Sequence, residues 1–122
     1  MTNQDRVPVT IDFRVRGIEF TDKLRKAVER IVVFALDRYE TQMDKISVYM
    51  ADLNGPKGGI DKLCQITAKL SRGNPVLILE QGSDILTTVN RAAHRLGHRI
   101  GRAVQRRNRP DSRRFRQSIR TT

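Results

Sequence analysis

The side chains that could perform acid–base or metal chemistry are scattered along this sequence. Most carboxylates neighbour basic residues on predicted surfaces, and no pair stands out as a general acid and base. His94 and His98 are four residues apart, a spacing that can hold a metal ion on a helix. However, no acidic residue lies between them, no third ligand is near, and the surrounding arginines repel cations. We therefore expect no metal, no cofactor and no catalytic residue.

The single cysteine, Cys64, cannot form an internal disulfide, which is typical of proteins from a reducing compartment. It alternates with polar residues in a strand-like segment, so its side chain is expected on the buried face. A cysteine nucleophile needs a partnered base and an electropositive, partly exposed setting. We predict an inert core residue.

Basic side chains are the group whose type and spacing do point to a ligand. The 122 residues carry 24 Lys and Arg against 13 Asp and Glu, a formal net charge of +11. Residues 83–122 hold 11 arginines against Asp84 and Asp111, a net of +9. Arginine makes forked contacts with phosphate, and such a field attracts nucleic acid or an anionic membrane. The alternative is a solubilising surface, although solubilising charge is usually of mixed sign.

These basic residues recur at helical spacing in two segments. Those near the C-terminus lie three or four residues apart along one side of a predicted helix: Arg91, Arg95, His98, Arg99, Arg102 and Arg106. Those near the N-terminus lie on the polar face of another predicted helix: Lys23, Arg25, Lys26 and Arg30. If both helices lie on one face of a sheet, the two patches can adjoin and form a groove for RNA phosphates.

Aromatic residues are too few for a large base-stacking surface, because the chain has no Trp, four Phe and two Tyr. Readers of single-stranded RNA rely on such stacking. Structured RNA, recognised by its shape, therefore fits this composition better.

Four segments alternate apolar and polar residues as half-buried strands do: 7–15, 45–53, 62–72 and 76–81. The turn-forming residues 54–59 separate the second and third segments and predict a long flexible hairpin. A phosphate-binding glycine loop would need a helix after it, whereas a strand follows here. Gly73, Asn74 and Pro75 predict a tight turn between the third and fourth strands.

Helical periodicity marks the first helix, which we predict over 21–40. Thr21 is its expected N-cap, and Asp22 lies in its first turn, where it favours the helix dipole. Its apolar residues recur at helical spacing, and four more are expected to widen that apolar face: Val32, Val33, Phe34 and Leu36.

A final helix is predicted over about 84–106, capped by Ser83 or Asp84. Gly97 and Gly101 each weaken such a helix by about 1 kcal/mol relative to alanine. They are either tolerated weak points or positions that allow close packing on the sheet or the approach of a partner backbone.

The element order is β-α-β-β-β-α, which predicts an α+β domain with two helices on one face of a four-stranded, mainly antiparallel sheet. The length allows one domain, which we assign to residues 1–107, followed by a basic, disordered tail over 108–122. No apolar run is long enough for a membrane span, and the N-terminus lacks the apolar stretch of a signal peptide. We expect a soluble intracellular protein with no membrane partner and no small-molecule substrate.

Two segments, FTDKLRKAV (20–28) and SDILTTVNRAAHRLGHRIGR (83–102), resemble the ribosome hibernation-promoting factor and ribosome-associated inhibitor family. A third, GPKGGIDKLCQITAKL (55–70), resembles its short-form, sigma-54 modulation protein-like branch. The resemblance spans about residues 7–107. It implies a βαβββα domain similar to a double-stranded RNA-binding domain. It also implies a bacterial cytoplasmic stress-response factor that binds small-subunit rRNA in the mRNA and tRNA channel and inhibits translation.

The resemblance also implies which residues contact rRNA. The basic positions of the family's first helix correspond to Lys23, Arg25 and Lys26. Those of its second helix correspond to Arg95, Arg99 and Arg102, and His98 stands where a basic residue is common. Long family members carry a second domain that pairs ribosomes, so we expect this chain not to pair them through a domain of its own, and to be a monomer off the ribosome. The alternative is a general structured-RNA-binding module that is not specific to the ribosome.

Overall fold

Four strands and two helices form in the predicted order. The structure, a computed structural model, describes residues 9–54 and 60–107. Its elements are β1 (Thr10–Arg16), α1 (Asp22–Leu36), a 3-10 segment (Asp37–Gln42), β2 (Met43–Asp52), β3 (Lys62–Leu70), β4 (Val76–Gly82) and α2 (Ile85–Arg107). The expected start of the first strand, the flexibility of the hairpin and the tail over 108–122 lie outside the described residues.

The strands lie side by side in sequence order, β1-β2-β3-β4. β1 pairs with β2 in parallel, whereas β2 with β3 and β3 with β4 are antiparallel. A parallel pair needs a crossover connection, and α1 supplies it. The α+β class and the mainly antiparallel sheet are thereby confirmed.

Both helices pack on the same face of this sheet. Successive residues of a strand point to opposite faces, so Ile46, Ile66 and Ile78 lie on one face with the other buried strand residues. They form one hydrophobic core together with Val32 of α1 and Leu96 of α2. The opposite face of the sheet, which carries mostly polar and charged side chains together with the exposed Leu77 and Leu79, is left open to solvent. The predicted placement of the two helices is therefore confirmed.

The first helix begins as predicted but ends earlier. Thr21 is its N-cap, and the Thr21 hydroxyl accepts a hydrogen bond of 3.1 Å from the Leu24 amide. α1 ends at Leu36, and the chain continues as the tighter 3-10 segment. Of the four residues expected to widen the apolar face, Val32 and Leu36 are buried, but the expectation is wrong for Val33 and Phe34, which are 52% and 81% exposed. The residues four apart along the helix, such as Val32 and Leu36, already cover the sheet.

The second helix is capped by Asp84 rather than Ser83. The Asp84 carboxylate accepts hydrogen bonds from the Thr87 amide at 2.9 Å and from the Thr87 hydroxyl at 2.8 Å. These bonds hold the pKa of Asp84 below its ordinary value. Thr88, one residue further, is fully buried, and its hydroxyl donates to the Asp84 carbonyl at 2.7 Å. A Cβ at Gly82 would overlap this hydroxyl, so α2 starts tightly against the end of β4.

The two glycines of α2 allow a close approach to the C-terminal end of α1 and not to the sheet. A Cβ added at Gly97 would lie 3.1 Å from the carbonyl oxygen of Ala35. One added at Gly101 would lie 2.5 Å from the hydroxyl of Tyr39. Of the open interpretations, the structure therefore supports close packing, but against the other helix and the 3-10 segment.

Cys64 is fully buried in β3. Burial, with a smaller contribution from the charge of Glu80, raises the pKa of the Cys64 thiol to about 12. The thiol is therefore protonated at neutral pH, which confirms an inert core residue.

Among the helices of the described residues, none combines the length and the hydrophobicity that a membrane span requires.

Candidate nucleic-acid interface

Five arginines of α2 form a continuous line, here called the arginine stripe: Arg91, Arg95, Arg99, Arg102 and Arg106. They lie four, four, three and four residues apart, so they follow one another along the same side of the helix. All five are exposed, whereas the residues that alternate with them, such as Ala92, Leu96 and Ile100, are buried in the core. Core packing thus holds a row of guanidinium groups at the surface.

The arginine stripe lies on the side of α2 that faces β4. Arg91 and Arg95 both form ion pairs with Glu80 of β4, and the Arg91 pair is 3.5 Å long. Arg91 also donates to the carbonyl oxygen of Gln81 at 3.3 Å. Glu80 is 12% exposed, so its charge is well placed to compensate these two arginines. Two of the five guanidinium groups are therefore held by the protein itself.

The remaining arginines of the stripe present their charge to solvent. Arg99 and Arg106 line a surface cavity of about 350 Å³ together with Arg72 and the turn between β3 and β4. Within residues 9–54 and 60–107, no ion pair involves Arg99, Arg102 or Arg106. These three side chains are the part of the stripe best able to neutralise phosphates.

The basic residues of α1 divide into two groups. Lys23, Lys26 and Arg30 are exposed and lie three and four residues apart on the outer face of the helix. Arg25 instead binds the carboxylates of Asp22 at 3.1 Å and Glu29 at 3.2 Å. The hydrogen bond to Asp22 is the main cause of the raised pKa of Arg25. Arg25 thus already has two carboxylate partners on its own helix, and its place among the RNA contacts stays a prediction.

The side of α2 that faces α1 carries glycines and not arginines. Gly97 and Gly101 occupy the side of α2 that faces α1, whereas Arg91 and Arg95 reach toward β4. The histidines line the boundary between the helices instead. His94 and His98 border a small cavity with Ala35, Arg38, Tyr39 and Gly97. A groove shared by the basic patches of the two helices stays a prediction.

Sequence reasoning singled out His98 as a contact but missed its neighbours in this cavity. His94 was considered only as a metal ligand, and Arg38 lies in the 3-10 segment, beyond the regular helical pattern. The shared helical spacing of the two histidines was a signal that they face the same way. The described part of the chain contains no group of three or more His, Cys, Asp or Glu that could hold a metal ion.

The opposite, open face of the sheet differs in charge pattern. Lys45 and Asp12 form an ion pair of 2.7 Å there, across the β1–β2 pair. Arg14 and Lys45 line a wide, shallow depression together with Ser47 and Thr67. Because charges of both signs meet on this face, it is a weaker candidate for binding a polyanion than the helical surface.

The fold and the charge together define the class of this protein. It is a four-stranded α+β domain with two helices on one face of the sheet and a cationic helical surface. The sequence model of the family described as Sigma 54 modulation protein / S30EA ribosomal protein matches residues 11–108. The chain belongs to this family, as its resemblance to the hibernation factors predicted.

Solved structures with the same fold include two proteins of low sequence identity. One is a ribosomal subunit interface protein from Coxiella burnetii, with a TM-score of 0.66 and 15% identity, covering 80% of this chain and 99% of that one. Another is the N-terminal domain of Protein Y from Thermus thermophilus, with a TM-score of 0.60 and 24% identity, covering 79% of this chain and 98% of that one. The sequence has no significant match among curated proteins.

Proposed function

We propose that this protein is a cytoplasmic, ribosome-associated factor that binds small-subunit rRNA in the mRNA and tRNA channel and inhibits translation by occupying it. The observation that carries the proposal is the arginine stripe, on a domain of the Sigma 54 modulation protein / S30EA ribosomal protein family. A neighbour in fold is itself named a ribosomal subunit interface protein, which agrees with a ribosomal partner.

Binding is driven by charge. Guanidinium groups that neutralise phosphates release condensed counterions, and this supplies affinity without reading the base sequence. Arg99, Arg102 and Arg106 contribute most, because Arg91 and Arg95 already have Glu80 as a partner. Lys23, Lys26 and Arg30 on α1 supply a second line of contacts to the same rRNA.

Inhibition on this mechanism is stoichiometric and needs no catalysis and no cofactor. A titration of purified protein into an in vitro translation reaction tests it directly. We expect full inhibition at about one protein per ribosome, as for any one-site competitor, and relief by excess mRNA with initiator tRNA. Cleaved rRNA, or inhibition far below one protein per ribosome, would indicate an enzyme and end the occlusion mechanism.

A general structured-RNA-binding module is the second candidate, because arginine contacts to phosphate carry no sequence information. Cosedimentation with ribosomes at moderate salt, with free duplex RNA as competitor, separates the two. A ribosome-specific factor stays bound when duplex RNA is added in excess over rRNA phosphates. Loss of the protein from the ribosome pellet in proportion to added duplex supports the general module.

A further inference from the structure

A small cavity lies between α2 and the C-terminal end of α1, and we call it the interhelical notch. Its volume is about 120 Å³, and it is lined by Ala35, Arg38, Tyr39, His94, Gly97 and His98. It is distinct from the arginine stripe, which lies on the β4 side of α2.

The close approach of the two helices builds this notch. Gly97 is buried, and a Cβ at this position would lie 3.1 Å from the backbone carbonyl oxygen of Ala35. A side chain there would therefore crowd the space between the helices. Tyr39 lies against Gly101, and the guanidinium carbon of Arg38 lies 5.8 Å from the centre of the Tyr39 ring. This cation–π contact places the Arg38 charge beside the notch.

The polar groups of the notch are suited to an anion. Arg38 carries a permanent positive charge, and each imidazole of His94 and His98 adds one when it is protonated. Tyr39 is the remaining titratable group of the lining, and no carboxylate lines the notch within the described residues. The nearby acids face other surfaces, since Asp37 and Glu40 line a groove on the β1 side of α1.

We propose that the interhelical notch binds a backbone phosphate of the RNA, held by Arg38 and by the protonated imidazoles of His94 and His98. This inference rests on the proposed function, because it names a contact within the same RNA interface. His98 lies four residues before Arg102, and His94 three residues after Arg91, so each imidazole neighbours an arginine of the stripe on the surface of α2, and a phosphate in the notch can be followed by phosphates along the stripe. The continuity favours a polyanion over a single carboxylate of a partner protein.

The notch makes binding depend on pH in a way that the stripe does not. Arginine stays charged throughout the accessible range, whereas histidine gains its charge between about pH 8 and pH 5. The chain has two histidines, and both line the notch. If the phosphate favours a protonated over a neutral imidazole tenfold, full protonation raises the affinity tenfold per histidine and about 100-fold for the pair.

The first experiment measures ribosome binding at pH 6, 7 and 8 at constant ionic strength. The double variant His94→Asn with His98→Asn is compared with wild type, and Gln105→Asn, an exposed change further along α2, is the matched control. We expect the control to keep the wild-type ratio of the affinities at pH 6 and pH 8, and the double variant to lose it. All three side chains are exposed, so the fold, checked by circular dichroism, is retained. An equal pH ratio in wild type and double variant would overturn the proposal.

The second experiment separates the notch from the proposed function. The histidine ring signals in an NMR spectrum of the whole chain are followed at pH 6 during titration with inorganic phosphate, with sodium chloride of equal ionic strength as reference, and then with a short RNA duplex. The phosphate site is supported if the NMR signals of both histidine rings shift with phosphate and with RNA, and if Arg38→Gln reduces these shifts. This result supports the site even if the protein does not bind ribosomes. Ring signals that move no further with phosphate or RNA than with chloride refute it, whether or not the protein binds ribosomes.

Discussion

The interface can be tested quantitatively through three arginines of the stripe, Arg99, Arg102 and Arg106, which have no ion-pair partner among the described residues. The perturbation is the triple variant Arg99→Gln, Arg102→Gln and Arg106→Gln. Each side chain is exposed, and the substitutions remove no recorded ion pair within residues 9–54 and 60–107. We expect each change to alter the free energy of unfolding by no more than about 0.5 kcal/mol, so a loss of binding reports on the interface.

The magnitude follows from the number of phosphates released. Each phosphate neutralised on a duplex adds about 0.9 to the slope of log affinity against log salt concentration. Loss of three contacts therefore lowers the slope by about 2.7. Over a fourfold rise in salt, from about 50 to 200 mM, wild type should lose about 40-fold more affinity than the triple variant.

The assay is cosedimentation with ribosomes at a series of salt concentrations. A matched control removes the same charge from the opposite face of the sheet, through Arg14→Gln, Arg16→Gln and Lys69→Gln, all at exposed positions. We expect the control to change the slope by less than about one phosphate contact. Equal losses in both variants would mean that net charge, and not the stripe, drives binding. An unchanged slope in the stripe variant would remove α2 from the interface.

Three further predictions concern the packing that positions the interface. Gly82→Ala should lower the free energy of unfolding by about 1–3 kcal/mol in urea denaturation, because the new Cβ overlaps the buried Thr88 hydroxyl; unchanged stability would contradict this packing. The thiol of Cys64, with its pKa raised to about 12 by burial, should react with a disulfide reagent at pH 8 no faster than the protein unfolds, and rapid native-state labelling would be evidence against it. Asp84→Ala should cost about 1 kcal/mol at pH 6, because the carboxylate caps α2 through Thr87. Because folding lowers the pKa of Asp84, the stabilisation by this cap is complete above the unfolded-state pKa of about 3.9 and is lost as the pH falls through the folded-state pKa. A stability difference between wild type and Asp84→Ala that stays constant down to pH 2 would refute the capping role.

Local patterns in the sequence were enough for the element order and for the first N-cap, whereas the second was narrowed only to Ser83 or Asp84. Alternation of apolar and polar residues marks a strand whatever it pairs with, because neighbouring side chains of an extended chain must point to opposite faces. A cap such as Thr21 bonds to an amide three residues away, so its partner is already present in the adjacent sequence. Cys64 was placed in the core for the same local reason.

It was harder to predict from the sequence which side of each helix would face the core and which would face solvent. The apolar residues of α1 extend around more of the helix than the sheet can cover, and only packing decided that Phe34 would face solvent while Val32 is buried. The end of α1 was also misjudged, because the 3-10 segment that follows it keeps Tyr39 near α2 without a regular helical spacing.

By itself, the sequence determined that two cationic helices would accompany a four-stranded sheet, and that arginines would line the outside of the second one. The tertiary structure alone decided which way that line faces, that Glu80 holds two of its members, and that Arg38 meets the two histidines between the helices. The physical reason is that periodicity is set by neighbours along the chain. The rotation and spacing of packed helices are set by contacts between residues far apart in it, here through the absence of side chains at Gly97 and Gly101.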